Sequence, residues 1–368
     1  PSTTDLSHLW DWLIYRRPFG DRGARWMYFL VRRDLVPGQK QYSTAPSTGA
    51  VASTTAPSVS APTLASSLQA TLGAGVGSTA PQGPRGLAAG KHGDVYIADP
   101  VAHKVLRFAA TGRYLRSWGV AGTTAAAFSR RDSPQGLTVG PDGNVYVTDT
   151  WNQRIEVFSP SGAYLRSWGS GPIGSGPGQF FGPRGIAVAA NGRVYVADTG
   201  NKRIEVFSTR GKYLSSFGTA GTGPGQFQEP SSVALSPNGT VYVADYWNRR
   251  VQAFSSSGVY LRSWPVSAWT FGSYDEPYIS IGPSGSGVFV TEPQQQRVAE
   301  FTSTGQLLGV FGTSKLTTPI GVAALPHGRV AVSDPAAGHV EVFALSPPPA
   351  TRSRVPVSQP GQKKPAKP

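Results

Sequence analysis

The sequence predicts an all-β protein, a six-bladed β-propeller, on three observations. A unit that reads PRGIAVAANGRVYVADTGNKRIEVFSTRGKYLSSFG recurs at intervals of 42 to 50 residues, which is the period of a propeller blade. Each unit contains short runs rich in Val, Ile, Tyr and Phe between Gly, Asn, Asp and Pro, as antiparallel strands do. With 45 Gly, 32 Pro and 15% charged residues, the composition is that of a turn-rich β protein. The six units open at Pro84, Pro134, Pro183, Pro230, Pro277 and Pro319.

Each unit supplies four predicted strands. In the unit at Pro183 we expect them at 185–189, 193–197, 203–208 and 213–217. The first run is almost wholly apolar, as expected of an innermost strand that is covered on both faces. The fourth run carries the phrase YLRSW in three units. The third run ends in the same residue type in all six units: Phe108, Phe158, Phe207, Phe254, Phe301 and Phe343.

The last unit lacks its fourth strand, because the sequence turns to SPPP after Leu345. Just before the first unit stands SLQATLG, residues 67–73, which aligns on its glycine with the fourth strand of the second unit. We therefore expect residues 67–73 to complete blade six and close the ring. Closure removes the long exposed strand edge that an incomplete blade would leave.

Three other regions flank the propeller predicted over residues 67–345. Residues 43–66 are nearly all Ser, Thr, Ala, Pro, Val and Gly and carry no charge, which is typical of a linker. Residues 346–368 form a basic, Pro-rich tail that we expect to be disordered. Residues 1–42 are aromatic and basic. Within them, 5–15 is compatible with a short helix and 25–35 with a strand or a helix.

The net charge of +14 comes partly from the ends of the chain, since residues 1–42 and 346–368 carry +3 and +5 of it and the middle carries the remaining +6. A basic balance favours anionic surfaces of any kind, including nucleic acid, lipid headgroups and acidic glycans. The chain has no cysteine, so disulfides, thiolate zinc sites and cysteine nucleophiles are excluded. No stretch reaches the ~18–20 apolar residues that a membrane span needs, and no signal peptide is visible. Because the chain begins with Pro1, we expect a fragment or a processed product.

The repeat resembles the NHL repeat family. The phrases that carry the likeness are VYVTDTWNQRIEVF at 145–158, VYVADTGNKRIEVF at 194–207 and VYVADYWNRRVQAF at 241–254, together with two copies of GPGQF. The likeness covers about 67–345 and implies a propeller of the kind that bacterial envelope proteins use as a binding or scaffolding module. The last two units depart from it, since one has Glu292 in place of Asp and both lack the Asn.

Residues 1–42 resemble the extramembrane ends of bacterial polytopic glycosyltransferase-like proteins, some of which carry a C-terminal NHL propeller. The phrases concerned are Trp-Asp-Trp at 10–12 and Arg-Arg-Asp-Leu at 32–35. The likeness implies that the segment is the end of an upstream membrane-associated domain. We therefore expect membrane association through sequence upstream of Pro1.

An acidic residue ends the second run of every unit. One such residue per blade at the same turn indicates a structural role, in which the carboxylate accepts hydrogen bonds from backbone N–H groups of the turn; metal ligation is the alternative. Five residues later comes a basic residue, Lys104, Arg154, Arg203, Arg250, Arg297 or His339, for which a structural ion pair is the first interpretation. The acidic ring comprises Asp99, Asp149, Asp198, Asp245, Glu292 and Asp334.

Function is expected where the repeat varies on one face. The residue after each opening proline forms a ring at the centre of the face on which the second and third strands join. The turns on that face add Trp151 and Trp247, and Arg154, Arg203 and Arg250 give its rim basic character. Trp, Tyr and Arg are enriched at binding hot spots. The central ring comprises Arg85, Gln135, Arg184, Ser231, Tyr278 and Ile320.

Three classes of function remain open. The first is a monomeric, extracytoplasmic module, tethered to a membrane protein, that binds a protein, a glycan or a small molecule on this face. The second is an RNA-binding propeller, which needs aromatic and basic residues gathered on one face. The third is a metal-dependent lactonase or lyase, for which His103 and His339 form a pair of ligands without a third. The sequence predicts no catalytic residue, no metal ligand set and no cofactor.

Overall fold

A computed structural model describes residues 12–18, 26–32, 61–74, 76–169, 171–270, 276–285 and 287–346. The chain divides into two units, Pro1–Val59 and Ser60–Pro368. In the first, the strands Trp12–Pro18 and Trp26–Arg32 pair antiparallel, with Trp12 opposite Arg32. The helix expected over residues 5–15 is therefore wrong from Trp12 onward, because the run WLIYRRP is rich in residues that favour strands and finds a matching partner. The rest of that expected helix lies outside the described residues.

The second unit contains six antiparallel sheets of four strands among its described residues, in agreement with the predicted all-β, six-bladed propeller. From the innermost strand outward, the blades are Leu87–Ala89, Val95–Asp99, Lys104–Phe108 and Tyr114–Trp118 in blade 1; Leu137–Val139, Val145–Asp149, Arg154–Phe158 and Tyr164–Trp168 in blade 2; Pro183–Val188, Arg193–Asp198, Arg203–Ser208 and Tyr213–Phe217 in blade 3; Pro230–Leu235, Val241–Asp245, Arg250–Phe254 and Tyr260–Pro265 in blade 4; Ile279–Ile281, Gly287–Glu292, Arg297–Thr302 and Leu307–Phe311 in blade 5; and Val322–Leu325, Arg329–Asp334, His339–Leu345 and Ser66–Leu72 in blade 6.

The outer strand of blade 6 comes from the start of this unit. Ser66–Leu72 pairs antiparallel with His339–Leu345, with Leu72 opposite Val340. The preceding residues, expected as part of a linker, bond to blade 5: the Leu64 N–H donates to the Val310 carbonyl and the Val310 N–H to the Pro62 carbonyl. Of the predicted linker, residues 43–60 lie outside the described residues, as does the tail from residue 347.

Short elements lie between the long strands. Val120–Ala121 pairs in parallel with Ala127–Phe128, and Thr219–Ala220 pairs in the same way with Gln226–Phe227. The 3-10 helices of the described ranges are Gly77–Thr79, Thr150–Asn152, Tyr246–Asn248 and Pro293–Gln295. No helix among the described residues is long and apolar enough to cross a membrane.

The hydrophobic core lies between neighbouring blades. Each cluster joins two blades: in the cluster between blades 3 and 4, the second-strand Tyr195 of blade 3 lies with the second-strand Val241 and Val243 of blade 4. Hydroxyl groups also join the blades beside the channel. Thr148 donates to the Arg184 carbonyl and Ser333 donates to the Arg85 carbonyl, which joins the last blade to the first.

Close approach of the innermost strands requires glycine at one position. A Cβ on Gly321 would lie 1.9 Å from the Arg85 carbonyl oxygen, and one on Gly136 would lie 2.2 Å from the Arg184 carbonyl oxygen. The glycine that follows the variable ring position therefore lets adjacent blades meet. The innermost strands enclose a central cavity of about 220 Å³ that is lined by all six blades.

Candidate functional site

The acidic ring is buried at the ends of the second strands, where its carboxylates fix the turns. In blade 3, Asp198 accepts hydrogen bonds from the Phe181 N–H at 2.8 Å, Asn201 Nδ2 at 2.8 Å and Arg203 Nε at 2.9 Å. Blades 2 and 4 repeat this set of donors. In blades 2, 3 and 4 the backbone N–H comes from the loop that leads into the blade, whereas Asp99 of blade 1 also accepts two N–H groups of the turn itself, the donors that the sequence predicted. In blade 1, Asp99 accepts four backbone N–H groups.

Arg154, Arg203 and Arg250 were expected on the binding face, and the structure places their guanidinium groups inside the blade. Each one pairs with the aspartate five residues before it at 2.9 Å. Each also donates to three carbonyls of the preceding inter-blade loop, at 2.5–3.0 Å. Because their donors are engaged in the scaffold, we remove these three arginines from the candidate surface.

The ring of variable residues lies where the innermost strands begin. This position adjoins the turn between strands two and three, since Pro183 pairs with Asp198 and Pro230 with Asp245. Gln135, Ser231 and Ile320 are buried at 2% exposure or less. Ser231 donates its hydroxyl to the Pro277 carbonyl and so joins blades 4 and 5. The expected binding ring is thus reduced to Arg85, Arg184 and Tyr278, with the other three residues in supporting positions.

Tyr278 crosses the channel. Its hydroxyl donates to the Gln135 carbonyl at 3.1 Å, and blades 5 and 2 stand opposite each other in a six-membered ring. The ring of Tyr278 also lines the central cavity. Burial raises the pKa of Tyr278 to about 12, so the phenol keeps its proton and remains a donor. This side chain therefore lies across one end of the channel.

Three acidic side chains, which the sequence reasoning did not find, surround the two arginines. Arg184 Nη1 lies 2.6 Å from Glu229 Oε1 and 2.5 Å from Glu276 Oε1. Arg85 lies 3.7 Å from Asp132 and 3.9 Å from Glu276. We call this set the channel mouth, and the side of the propeller that carries it the mouth face: Arg85, Asp132, Gln135, Arg184, Glu229, Glu276 and Tyr278. Glu229 and Glu276 directly precede the opening prolines of their units. Starting each aligned unit one residue earlier would therefore have included both glutamates.

The channel mouth contains buried polar atoms that lack a hydrogen-bond partner. Among the described residues, Arg85 Nε, Arg184 Nε, Gln135 Oε1 and Glu276 Oε2 are buried without a hydrogen-bond partner. The pKa of Glu276 lies above its ordinary value, because the effect of burial exceeds the lowering effect of the two arginines. Burial disfavours the Arg184 guanidinium, but Glu276 and Glu229 more than offset this, so the pKa of Arg184 lies above its ordinary value. Donors and acceptors of both charges therefore adjoin one opening, which suits a polar ligand or a bridging water.

The two tryptophans lie on the mouth face and are half-buried. The backbone N–H of Trp151 donates to the Oγ of Ser133, the residue directly before the opening proline of blade 2. Lys202 lies over the ring of Trp247, 5.8 Å from its centroid, and also pairs with Glu229 at 3.5 Å. Trp247 thus packs on the blade 4–5 core and is linked through Lys202 to the channel mouth.

The histidines considered as metal ligands have protein partners. His103 Nδ1 lies 3.2 Å from the Ser133 carbonyl, and His339 Nε2 lies 3.0 Å from Glu341 Oε1. Within the ranges that the structure describes, no group of three or more His, Cys, Asp or Glu side chains is placed to hold a metal ion. His8, which precedes residue 12, lies outside those ranges.

Comparison with solved structures gives the same fold at low sequence identity. A streptogramin B lyase structure matches with a TM-score of 0.54 at 15% identity, over 76% of this chain and 98% of that chain. The gluconolactonase XC5397 from Xanthomonas campestris matches with a TM-score of 0.53 at 14% identity, over 73% and 88%. A nidogen/laminin complex matches with a TM-score of 0.51 at 17% identity, over 68% and 86%. No curated protein matches the chain.

The family comparison identifies the repeat. The NHL repeat model matches residues 132–158, 180–207 and 227–254, which are the first three strands of blades 2, 3 and 4 with the segments that lead into them. Blades 1, 5 and 6 complete the ring with the same strand order. The chain therefore contains three NHL repeats within the architecture of a six-bladed β-propeller.

Proposed function

We propose that the propeller is a non-catalytic binding module whose partner, a protein or a glycan or small-molecule ligand, contacts the mouth face. The observation that carries this proposal is the channel mouth itself. Six blades share one scaffold, yet at one position they carry different residues, and there two arginines, three acids and a tyrosine meet. Among the described residues, four buried polar atoms without partners, from both arginines, Gln135 and Glu276, gather at this one opening, and such a cluster can bind a polar ligand.

The mouth face also offers groups around the opening. Arg130, Arg131 and Arg249 are exposed on its loops and turns, and half-buried Trp151 and Trp247 lie beside them. Large aromatic and guanidinium groups around a polar centre match the anatomy of protein-binding surfaces. The three acids of the channel mouth offset the charges of Arg85, Arg184 and Lys202, which weakens the case for the RNA-binding alternative.

The enzyme alternative has less support. Streptogramin B lyase and gluconolactonase are enzymes on this fold, but at 15% and 14% identity the likeness concerns the fold alone. His103 and His339 pair with protein groups, and the part of the chain that the structure describes contains no group of three or more His, Cys, Asp or Glu placed to hold a metal ion. A metal-dependent reaction would need a convergent set of such ligands.

A photo-crosslinking experiment tests the binding role. A photoreactive amino acid is placed at Trp151 or Trp247, and at Arg113 or Arg210 on exposed turns of the opposite face as matched controls. We expect one shared partner to crosslink from positions 151 and 247 and not from 113 and 210. Equal crosslinking from both faces, or nanomolar binding to RNA with a steep salt dependence, would contradict the proposal.

We also propose that the module is extracytoplasmic, attached to a membrane protein and monomeric as a propeller. The uncharged Ser/Thr/Ala/Pro composition of residues 43–66 and the lack of cysteine support this location. Protease added to intact cells should then cleave within residues 43–66. Protection of that segment until the membrane is permeabilised would place the module on the other side.

A further inference from the structure

Blades 2, 3 and 4 differ in one buried residue that contacts their inter-blade loops. We define these loops as residues 122–128, 174–180 and 221–227. The third strand begins Arg-Ile-Glu in blades 2 and 3 and Arg-Val-Gln in blade 4. Glu156, Glu205 and Gln252 therefore occupy equivalent positions, and all three are fully buried. The chain thus contains its own carboxyl-to-amide comparison.

In blade 4 the amide of Gln252 satisfies its surroundings. Its Oε1 accepts the N–H of Gly225 at 3.0 Å. Its Nε2 donates to the Gln226 carbonyl at 2.7 Å and to Asp245 Oδ2 at 3.1 Å. One side of this site therefore presents a donor, and the other side presents two acceptors.

In blade 3 a carboxyl group faces the same surroundings. Glu205 Oε1 accepts the N–H of Gly178 at 3.2 Å and lies 2.9 Å from Arg203 Nη2. Its Oε2 is buried without a hydrogen-bond partner among the described residues. The groups equivalent to those that Gln252 Nε2 contacts are the Gln179 carbonyl and Asp198, both acceptors. An ionised Oε2 has nothing to accept there, whereas a protonated Oε2 has a hydrogen to donate.

Blade 2 repeats this arrangement with different loop residues. Glu156 Oε1 accepts the N–H of Ala126 at 3.1 Å and lies 3.2 Å from Arg154 Nη2. Its Oε2 is also buried without a partner. Ala126 has a φ of 61°, where the loop of blade 3 has Gly178 at 76°. The carboxyl group therefore holds a non-glycine residue in the left-handed region, where backbone strain is expected.

Charge balance also favours a neutral carboxyl. In blade 4 one arginine faces one aspartate, so the buried cluster has no net charge. In blades 2 and 3 one arginine faces an aspartate and a glutamate, so the cluster is neutral only when the glutamate is protonated. The aspartate is the poorer site for the proton, because Asp198 already accepts three hydrogen bonds. The charged groups that face the glutamates are Arg154 and Asp149 in blade 2 and Arg203 and Asp198 in blade 3.

We propose that Glu156 and Glu205 are proton-binding sites that fasten the inter-blade loops of blades 2 and 3 when protonated and loosen them when ionised. Gln252 holds the loop of blade 4 at any pH. The two titrating loops lead into the turns of the mouth face, and Asn152 Nδ2 bonds to the Gly122 carbonyl in the first of them. The inference goes beyond the proposed binding role and does not depend on it.

The pH range follows from the pKa values. Burial raises the pKa of Glu156 and of Glu205 to about 7 from an ordinary 4.5, against the lowering effect of the neighbouring arginine. Between these values the folded chain binds more protons than the unfolded chain, so the free energy of unfolding falls as pH rises. The stabilisation is fully present below about pH 4.5 and is lost as pH rises through about 7.

Two measurements on the wild-type chain test the proposal. Carboxyl-carbon NMR should show two glutamate signals with midpoints near pH 7 that disappear in the Glu156→Gln/Glu205→Gln double variant. Hydrogen exchange, corrected for the intrinsic rate, should show falling protection of the Ala126 and Gly178 N–H groups between pH 6 and 8. Protection of the Gly225 N–H should stay constant. Midpoints near 4.5, or equal behaviour of the three N–H groups, would overturn the proposal.

Unfolding of variants provides an independent test. The Glu156→Gln/Glu205→Gln variant should match the wild-type Tm at pH 4 and exceed it at pH 8. The reverse change, Gln252→Glu, should leave the Tm unchanged at pH 4 and lower it at pH 8. A double variant that is less stable at both pH values, or that fails to fold, contradicts the proposal, because glutamine is the residue that blade 4 already uses.

Discussion

The acidic ring and the channel mouth lie on the same side of the propeller, but their ion pairs differ: those of the ring form within one blade, and those of the channel mouth join different blades. In the ring, each buried acid of blades 2, 3 and 4 meets the same partners in the same geometry. At the channel mouth, Arg85 and Arg184 come from blades 1 and 3 and share Glu276, which precedes blade 5. Repetition therefore marks the scaffold, and variation marks the candidate site.

The blades that depart from the repeat support this division. Glu292 replaces the aspartate in blade 5 and still pairs with Arg297 at 2.6 Å. Asp334 in blade 6 has no arginine five residues later, yet it accepts the N–H groups of Thr317, Thr318 and Ala337. The hydrogen-bond donors differ between blades, whereas the carboxylate at this turn accepts hydrogen bonds in each of them. A buried acid at this turn needs hydrogen-bond donors, and the fold supplies them from whichever segment is near.

The largest expected effect distinguishes the two regions by stability. Asp198→Ala leaves Arg203 without its aspartate and the Phe181 N–H without its acceptor, so we expect the free energy of unfolding to fall by about 3 kcal/mol. Asp132→Ala at the channel mouth should cost about 1 kcal/mol or less, because its side chain is 41% exposed and 3.7 Å from Arg85. Denaturant unfolding measures both. Equal losses would erase the distinction between scaffold and site.

A smaller effect is expected from the hydrogen bond across the channel. Tyr278→Phe removes the hydroxyl that donates to the Gln135 carbonyl. That carbonyl still accepts a hydrogen bond from the Gly86 N–H at 3.0 Å. We expect a loss of about 1 kcal/mol. Tyr164→Phe, which removes an exposed bond to Ser167, is the matched control and should lie within about 0.5 kcal/mol of wild type. If both variants behave alike, Tyr278 does not tie the opposite blades together.

The fold follows from the sequence because its signals are local and periodic. The opening prolines, the second-strand acids and the third-strand phenylalanines recur in phase, and each reports on its own blade. The structural role of the acidic ring followed from the same repetition. The strand Trp12–Pro18 was missed because a short aromatic run without a repeat does not separate helix from strand.

The channel mouth was only partly predictable. Arg85, Arg184 and Tyr278 stood out because they vary at a shared position. Their contacts with Glu276 and Gln135 join blades that are far apart in sequence, and no periodic pattern encodes such a contact. Arg154, Arg203 and Arg250 were expected on the surface because sequence alone does not show that loop carbonyls cover their guanidinium groups.

The central claim is that variation at the channel mouth, rather than the repeated scaffold, serves recognition. Glu276→Gln tests it most directly in the crosslinking experiment with the photoreactive group at position 247. The matched control is Glu300→Gln. Glu300 is also a half-buried glutamate, and it lies in blade 5, the blade that Glu276 precedes. We predict that Glu276→Gln changes the yield of the crosslinked partner severalfold and that Glu300→Gln leaves it unchanged. Unchanged yields in both variants, or equal changes in both, would contradict the claim.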